Sequence, residues 1–582
     1  MNKKRICRIV AGFLCLSTLL CGCVGFDGAG TSDPSQGGPG MNNTTGSTEQ
    51  TLQTAPNGET VIPTPTGEDA PTDPQIVMLS LGWNEAYTNK KVVTVTVSSE
   101  AVNDVKAGIF GANVSWRGDG YGQWDSRENA PDETLLAQLK NSGVTHLRYP
   151  GGIEGDYFHW NESIGDVRIP QIDPFSKDYP TYETYDGERF IATFGPDEFL
   201  ELCKAAGDGV TIQLNAGNGT AKEAADWVRY YKEKGADIWS FCVGNEVCMA
   251  EERVAGMKVT CTPQEYVDFY NEVWKELDGA ADDIEFGAIG ITPSHPLCKY
   301  RNWDSTILSQ LGDKIDFIDV HIGYSPYFVS GETQKDIVKC LMSSSQFVRF
   351  LLDQEIALIN DCATEHADDI SIQITEWGPI GGYSASVAGS VYMASFLNTV
   401  IAEPKVTSAC YLPLINHYAA ANLLGALVDK SVTGKQVYWD NCNSFVFRWY
   451  SEQVGRDVLT TGVSGGDTFD SIAIGLMPEQ KDVGVGEASV YYDPATKTGT
   501  VFLINKSYNE NTRFQVQLPF GNVTLTNITE LWNESCVAQN DYSNPNAVKP
   551  ASYVAGQVSA DGSMTVDVKP VSLLKIDFTV SE

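Results

Sequence analysis

The feature that most constrains the fold is a repeat of short apolar segments, each followed by a segment with helical periodicity. From residue 105 onward, eight such pairs follow one another in order. The apolar segments read KAGIFGANVSW, VTHLRYPGG, GVTIQLNAG, IWSFCVGNE, IEFGAIGI, IDFIDVHIGY, ISIQITEWG and TSACYLPLIN. Eight strand–helix units in sequence predict a closed parallel (β/α)8 TIM barrel over residues 105–454.

The pattern changes after Gly455. Segments such as ASVYYDPATKTGTVFLINKS and VSLLKIDFTV alternate apolar and polar residues with period two, and turn residues separate them. They predict a C-terminal antiparallel β-sandwich over residues 455–582. The segment VVTVTVS before the barrel has the same character, so residues 76–104 are expected to add strands to that sandwich. The predicted fold class is α/β, a barrel with an appended sandwich.

The first residues predict export rather than folding. Four basic residues precede the apolar run Ile9–Leu20, which is too short to span a membrane. Leu20-Cys21-Gly22-Cys23 resembles a bacterial lipoprotein cleavage box, which predicts a signal peptide over residues 1–22 and lipidation of Cys23. Residues 23–75 are rich in Gly, Ser, Thr and Pro and are expected to form a disordered tether. The expected location is the bacterial cell surface, lipid-anchored and facing outside; ordinary secretion is the alternative.

The composition restricts the classes of molecule that the chain is expected to bind. The net charge of −35 argues against nucleic acid, because phosphate binding depends on a basic surface. Ten of the 14 cysteines lie beyond Cys23, without a CxxC pair or metal-ligand spacing. No metal or cofactor is therefore predicted. Disulfides among Cys242, Cys248 and Cys261 and buried free thiols both remain open, and the oligomeric state is not predicted.

Two glutamates stand where barrel chemistry is expected. Glu246 ends the strand segment FCVGNE and Glu376 ends IQITE, in units four and seven. Active sites of these barrels lie at the carboxyl ends of the strands. A pair of carboxylates is what glycoside hydrolysis requires, and a separation of about 5–5.5 Å would indicate retention of anomeric configuration. The alternative is a pair of strand-end glutamates held in salt bridges.

Several strings resemble one family. LRYPGG with His159-Trp160 following, GNGTAKEAADWV, VGNE, TEWG, DYSNPNAVKP and PVSLLKIDF are similar to glycoside hydrolase clan A, and most of all to family 51, the α-L-arabinofuranosidase-like enzymes. The resemblance covers nearly everything after the tether. It implies that Asn245 contacts the sugar 2-hydroxyl, that Glu246 is the acid/base and that Glu376 is the nucleophile.

The resemblance has three departures. The family carries a glutamate shortly after the strand-one FG, an asparagine after the strand-two PGG, and a glutamine at strand eight. This chain has Ser115, Ile153 and Pro413 at these places. The family uses these positions to hold substrate. The departures therefore leave the predicted two-glutamate mechanism unchanged, but they put specificity for arabinofuranose in question.

Other residues at strand ends are candidates for the pocket. Arg148 could orient the nucleophile or form a salt bridge at the barrel mouth. His321 and Tyr324 follow strand six, where the clan places polar groups that position the nucleophile, although a core histidine is the alternative for His321. Trp377 adjoins the nucleophile and is predicted to stack on a sugar ring.

The leading hypothesis is a retaining glycoside hydrolase that acts on a neutral plant-type glycan, most similar to α-L-arabinofuranosidases. Two alternatives are kept. The first is an endo-β-glycanase of the same clan, a glucanase or xylanase. The second is a non-catalytic glycan-binding surface lipoprotein that keeps the barrel.

Overall fold

The structure is a computed structural model of the chain. It describes residues 91–172, 189–249, 261–326, 329–381, 383–415, 422–429, 435–553, 558–559 and 561–581. The chain divides into units 1–81 and 82–582, and every described residue belongs to the second. The predicted signal peptide, Cys23 and the predicted tether lie outside the described residues. No helix among the described residues is long and apolar enough to cross a membrane.

Eight parallel strands form the closed barrel that the repeat predicts. In chain order, barrel strands one to eight are Gly111–Asn113, His146–Tyr149, Gly209–Leu214, Ile238–Val243, Glu285–Gly290, Phe317–Val320, Ser371–Ile380 and Val406–Tyr411. Each strand pairs with the next, strand six pairs directly with strand seven, and strand eight returns to strand one. The ring is therefore closed, and the predicted fold class is confirmed.

A helix follows each barrel strand. These helices are Glu133–Ser142, Pro196–Ala206, Ala221–Glu233, Pro263–Leu277, Trp303–Leu311, Gln334–Cys362, Val387–Ile401 and Cys442–Ser451. Local sequence explains several of their first residues. The Thr262 hydroxyl accepts a hydrogen bond from the Glu265 backbone N–H, and the Glu265 carboxylate accepts one from the Thr262 backbone N–H, which is a capping box with proline at the first helical position. Shorter helical turns are Ala107–Phe110, Gly118–Gly122, Gly152–Gly155, Trp160–Glu162 and Thr364–His366.

The remaining strands form one large sheet and several small pairings. The large sheet contains Val93–Asp104, Asp457–Gly465, Gly486–Asp493, Thr498–Asn505, Thr512–Gln517, Val523–Leu531, Ala551–Tyr553, Ser563–Val568 and Ser572–Val580. The small pairings are Trp124–Asp125 with Ala130–Pro131, Gln171–Ile172 with Arg189–Phe190, Leu424–Asp429 with Lys435–Asp440, and Thr468–Ser471 with Gln480–Gly484. Tyr324–Pro326 pairs with the end of barrel strand seven.

The predicted C-terminal antiparallel domain is confirmed, but its strands form one hydrogen-bonded sheet of nine. Among the residues that the structure describes, the strand Val93–Asp104 is the only member of this sheet from before the barrel. It pairs antiparallel with Asp457–Gly465 and parallel with Thr512–Gln517, with register shifts between Val97 and Asn103. An alternating pattern identifies strands, but it does not fix which edges meet. One strand that bonds on both sides joins what would otherwise be two sheets.

Candidate active site

The two predicted catalytic glutamates meet at the carboxyl-terminal mouth of the barrel. Glu246 follows barrel strand four, three residues after Val243, and its side chain is 12 % exposed. Glu376 lies within barrel strand seven, where pairing with strand eight shifts register between Ile374 and Trp377. Oxygens of the two carboxylates lie within 4.8 Å of each other. That spacing matches retaining glycosidases, since inverting enzymes hold their carboxyl groups about 6.5–9.5 Å apart.

Arg148 is fully buried and connects three groups of the site. Its guanidinium donates to Glu376 Oε1 at 2.7 Å, to Asn113 Oδ1 at 2.8 Å and to Asn245 Oδ1 at 2.9 Å. Burial alone would lower the pKa of Arg148, but the charges of Glu376 and Asp319 and the hydrogen bond to Glu376 together raise it. The sequence-based orienting role for Arg148 fits this geometry. The fork of donors holds the nucleophile and the residue before the acid/base in one frame.

Asn245 is held by Arg148 and by the residue that follows the strand-two turn. Its Oδ1 accepts from Arg148, and its backbone N–H donates to Asp156 Oδ1 at 3.2 Å. Its Nδ2 is buried and has no hydrogen-bond partner within the described ranges. A buried amide donor without a protein partner is costly unless a ligand meets it. This agrees with the sugar contact that the resemblance implies for Asn245.

His321 connects the two glutamates from the strand-six side. Its Nδ1 lies 3.0 Å from Glu246 Oε1 and 3.7 Å from Glu376 Oε2. Its Nε2 lies 3.2 Å from Thr375 Oγ1, which in turn donates to Asp319 Oδ2. His321 is therefore surrounded by acceptors and is part of the site, as the sequence predicts.

The charges around His321 decide its protonation. Burial alone would lower the pKa of His321, but the charge of Glu376 and hydrogen bonds to Asp319 and Glu246 raise it to about 10. Burial alone would raise the pKa of Asp319, but the hydrogen bond and charge of His321 hold it below its usual value. The site thus contains an imidazolium cation at neutral pH, with its Nδ1 3.0 Å from Glu246 Oε1 and 3.7 Å from Glu376 Oε2.

The side chain of Tyr324 contacts the nucleophile, whereas that of Trp377 lies in the core. The hydroxyl of Tyr324 donates to Glu376 Oε2, so both oxygens of the nucleophile are held. Trp377 is wholly buried, and its ring stacks on Phe396 with centroids 4.0 Å apart. Neighbouring side chains of a strand point to opposite faces, so the residue after Glu376 faces the helix layer. The predicted sugar-stacking role of Trp377 is wrong; it is a packing residue.

Sequence reasoning missed two residues near the pair. His295, in the loop after barrel strand five, is 5 % exposed. Burial lowers its pKa to about 4 although the charge of Glu246 opposes this, so His295 is neutral where His321 is charged. Glu154 lies in the short helix after barrel strand two and is 8 % exposed. Neither residue ends a strand, so strand periodicity gave no signal for them.

Glu246, His321 and Glu376 could in principle supply metal ligands, since one ligand atom of each falls within the same 4.8 Å. The surroundings do not suit a cation. Both oxygens of Glu376 already accept hydrogen bonds, from Arg148 and Tyr324, and His321 is a cation itself. Among the residues that the structure describes, Cys242 is a buried thiol that forms no disulfide with Cys248 or Cys261.

Comparison with known proteins identifies the family. A family model described as the alpha-L-arabinofuranosidase 1 domain matches residues 136–278, and one described as the alpha-L-arabinofuranosidase C-terminal domain matches residues 378–572. An intracellular exo-alpha-(1->5)-L-arabinofuranosidase from Bifidobacterium longum is 21 % identical over 85 % of this chain and 93 % of its own length. The Bacillus subtilis (strain 168) enzyme named intracellular exo-alpha-(1->5)-L-arabinofuranosidase 1 is 21 % identical over 83 % of this chain and 98 % of its own.

These names overturn one prediction. Both relatives are called intracellular, as are similar proteins from Halalkalibacterium halodurans, Bacteroides ovatus and Streptomyces lividans. The predicted surface location is therefore wrong, since the relatives that match most of this chain are named intracellular. The prediction depended on the first 23 residues, which lie outside the described residues.

A solved structure agrees with the sequence relatives. A family 51 alpha-L-arabinofuranosidase from Bifidobacterium longum superposes with a TM-score of 0.69 at 19 % identity, covering 84 % of this chain and 99 % of that one. This likeness shows a shared fold. Two family models along the barrel and the C-terminal domain, with full-length relatives, place the chain in glycoside hydrolase family 51 of clan A, as an α-L-arabinofuranosidase-like retaining enzyme.

Proposed function

We propose that this enzyme removes α-L-arabinofuranosyl residues, with Glu376 as nucleophile and Glu246 as acid/base. The observation that carries the proposal is the distance of at most 4.8 Å between carboxylate oxygens of these two residues. Carboxylates this close can act on one anomeric carbon from opposite sides of the scissile bond, without room for the water of an inverting mechanism.

In the first step, a Glu376 oxygen attacks the anomeric carbon and the bond to the leaving oxygen breaks. Glu246 gives its proton to that oxygen, so the aglycone leaves as a neutral alcohol. Arg148 and Tyr324 hold the carboxylate of Glu376 with its charge toward the sugar. The product of this step is a glycosyl ester on Glu376.

In the second step, Glu246, now a carboxylate, takes a proton from water, and the oxygen of that water attacks the anomeric carbon. The ester bond to Glu376 breaks and the sugar leaves with its original configuration. His321 donates a hydrogen bond toward Glu246 Oε1 in both steps. A cation beside both glutamates offsets the repulsion that two carboxylates at this spacing would otherwise have.

The substrate class rests on the relatives. The Bifidobacterium longum and Bacillus subtilis proteins are named exo-acting on α-(1→5)-linked L-arabinofuranose. We extend the terminal, exo mode of attack to this chain as part of the proposal, and we favour it over the endo-β-glycanase alternative. Ser115, Ile153 and Pro413 are the positions at which this pocket departs from the family, so linkage preference is expected to differ there.

The test is hydrolysis of 4-nitrophenyl α-L-arabinofuranoside by wild type, Glu246→Ala and Glu376→Ala. Both variants should lose turnover, and azide should restore activity to Glu246→Ala with retention of configuration at the anomeric centre. Glu285→Gln is the control, because Glu285 begins barrel strand five at the opposite end of the barrel. Activity of Glu376→Ala equal to the control, or a wild type active on β-glucan and inactive on the arabinofuranoside, would refute the proposal.

A further inference from the structure

The loop after barrel strand two carries a third carboxylate into the catalytic pocket. Glu154 lies in the four-residue turn Gly152–Gly155, and Ser115 Oγ donates to its Oε1 at 2.8 Å. Both side chains are less than one-tenth exposed. Ser115 follows barrel strand one by two residues, so a hydroxyl from one strand end holds a carboxylate from the next.

Two consecutive glycines place Glu154 beside the nucleophile. A Cβ on Gly151 would lie 3.0 Å from Glu154 Oε1, and a Cβ on Gly152 would lie 2.7 Å from Glu376 Oε1. One short piece of backbone thus contacts both carboxylates. Since neighbouring Cα atoms are about 3.8 Å apart and each Cα–Cβ bond adds about 1.5 Å, the two carboxylate oxygens are about 13 Å apart at most. The turn that lies against the nucleophile therefore also carries Glu154.

The same turn also reaches the acid/base side. Asp156, directly after it, accepts a hydrogen bond from the backbone of Asn245, the neighbour of Glu246. The turn therefore lies along one wall of the pocket, from the nucleophile to the acid/base, with Glu154 in its middle.

The hydroxyl of Ser115 has a fixed orientation. It accepts a hydrogen bond from the Arg117 backbone at 3.3 Å while it donates to Glu154. The backbone N–H of Trp116 donates a hydrogen bond to the carbonyl oxygen of Pro150 at 3.1 Å, which fixes the end of barrel strand one against the strand-two loop. The carboxylate of Glu154 is thus held before substrate arrives, and such pre-organisation is what a recognition group needs.

We infer that Glu154, oriented by Ser115, is a specificity-determining residue that accepts hydrogen bonds from hydroxyl groups of the sugar bound at the nucleophile. This inference rests on the proposed function and deepens it. A carboxylate is an acceptor only, and its two oxygens match neighbouring sugar hydroxyls, which donate. Ser115, at the end of strand one, supplies the hydroxyl that orients the carboxylate. Glu154, in the strand-two loop, supplies the carboxylate that accepts from the sugar.

The test compares Glu154→Gln with wild type on 4-nitrophenyl α-L-arabinofuranoside and its 2-deoxy, 3-deoxy and 5-deoxy analogues. Glutamine keeps the size of the side chain but removes the charge and replaces one acceptor by a donor. We expect kcat/KM on the parent glycoside to fall about 10- to 100-fold. On the analogue that lacks the contacted hydroxyl, variant and wild type should differ by less than about 2-fold, because the interaction is already absent. Ser115→Ala should show the same selectivity with a smaller loss.

Glu198→Gln is the matched control, because Glu198 is also 8 % exposed but pairs with Arg168 and caps the helix Pro196–Ala206. It should change kcat/KM equally, if at all, on all four glycosides. Equal losses for Glu154→Gln on all four would assign Glu154 a structural role and overturn the inference. A wild type without activity on the parent glycoside would instead refute the proposed function, and this inference with it.

Discussion

Replacing Gly152 by alanine should displace the nucleophile while leaving the fold intact. The backbone at Gly152 does not require glycine, since its φ lies outside the left-handed region. The added Cβ would lie 2.7 Å from Glu376 Oε1, whereas ordinary contacts begin at 3.4 Å. Either the turn or the carboxylate must therefore move by about 0.7 Å. Glu376 cannot move freely, because Arg148 and Tyr324 hold its two oxygens.

The expected magnitude follows from that displacement. A misplacement of about 1 Å in a catalytic group costs roughly 100-fold in rate. We expect kcat of Gly152→Ala to fall about 30- to 100-fold, which corresponds to about 2–3 kcal/mol of transition-state stabilisation. The melting temperature should change little, because the backbone at Gly152 tolerates a side chain and the nearest atoms to the added Cβ all belong to Glu376. The assay is steady-state hydrolysis of 4-nitrophenyl α-L-arabinofuranoside, with thermal unfolding measured on the same preparation.

Gly462→Ala is the control for the chemical change. Gly462 lies on an exposed part of the strand Asp457–Gly465, and the nearest atom to an added Cβ is the Thr96 carbonyl oxygen at 3.7 Å. This variant should keep wild-type kcat. If Gly152→Ala keeps more than half of the wild-type kcat with an unchanged melting temperature, the described clamp on Glu376 is incorrect.

Three further predictions concern charge. Arg148→Lys should lower kcat about 100-fold or more, because an ammonium group cannot reproduce the fork that reaches Glu376, Asn113 and Asn245; near-normal kcat would contradict this. His321→Gln should lower kcat about 10-fold or more at pH 7, because it removes the imidazolium whose Nδ1 lies 3.0 Å from Glu246 Oε1; an unchanged kcat would show that this cation does not assist the reaction. Glu355→Gln should raise the melting temperature at pH 8 and not at pH 4. Burial and the nearby Asp304 raise the pKa of Glu355, so the folded state keeps a proton that the unfolded state releases as pH rises above about 4, and wild-type stability falls over that range. The same difference at both pH values would exclude this linkage.

The barrel could be predicted because its strand and helix patterns repeat eight times along the sequence. Eight apolar segments separated by helical patterns leave few other arrangements, and strand ends then identify Glu246 and Glu376 as neighbours although 130 residues separate them in sequence. Arg148 and His321 follow from the same rule. The alternation of side chains along a strand, applied more strictly, would also have placed Trp377 on the face opposite Glu376.

Features that depend on loops could not be predicted in this way. Glu154 reaches the pocket only because the strand-two loop folds back as a turn beside Ser115, and no periodicity encodes that contact. His295 lies in the loop after strand five for the same reason. The joining of the C-terminal strands into one sheet depends on the pairing of Val93–Thr96 with a strand on each side, and alternation along a strand does not encode such long-range pairing.

During turnover, Glu376 is expected to form a covalent bond to the sugar. Glu246→Ala should react quickly with 2,4-dinitrophenyl α-L-arabinofuranoside, whose leaving group needs no proton, and then release the sugar slowly because no base activates water. Mass spectrometry of the quenched protein should then show one added pentosyl group, and peptide mapping should locate it on Glu376. A pentosyl group on another residue, or an unmodified protein during rapid release of dinitrophenol, would contradict the assignment.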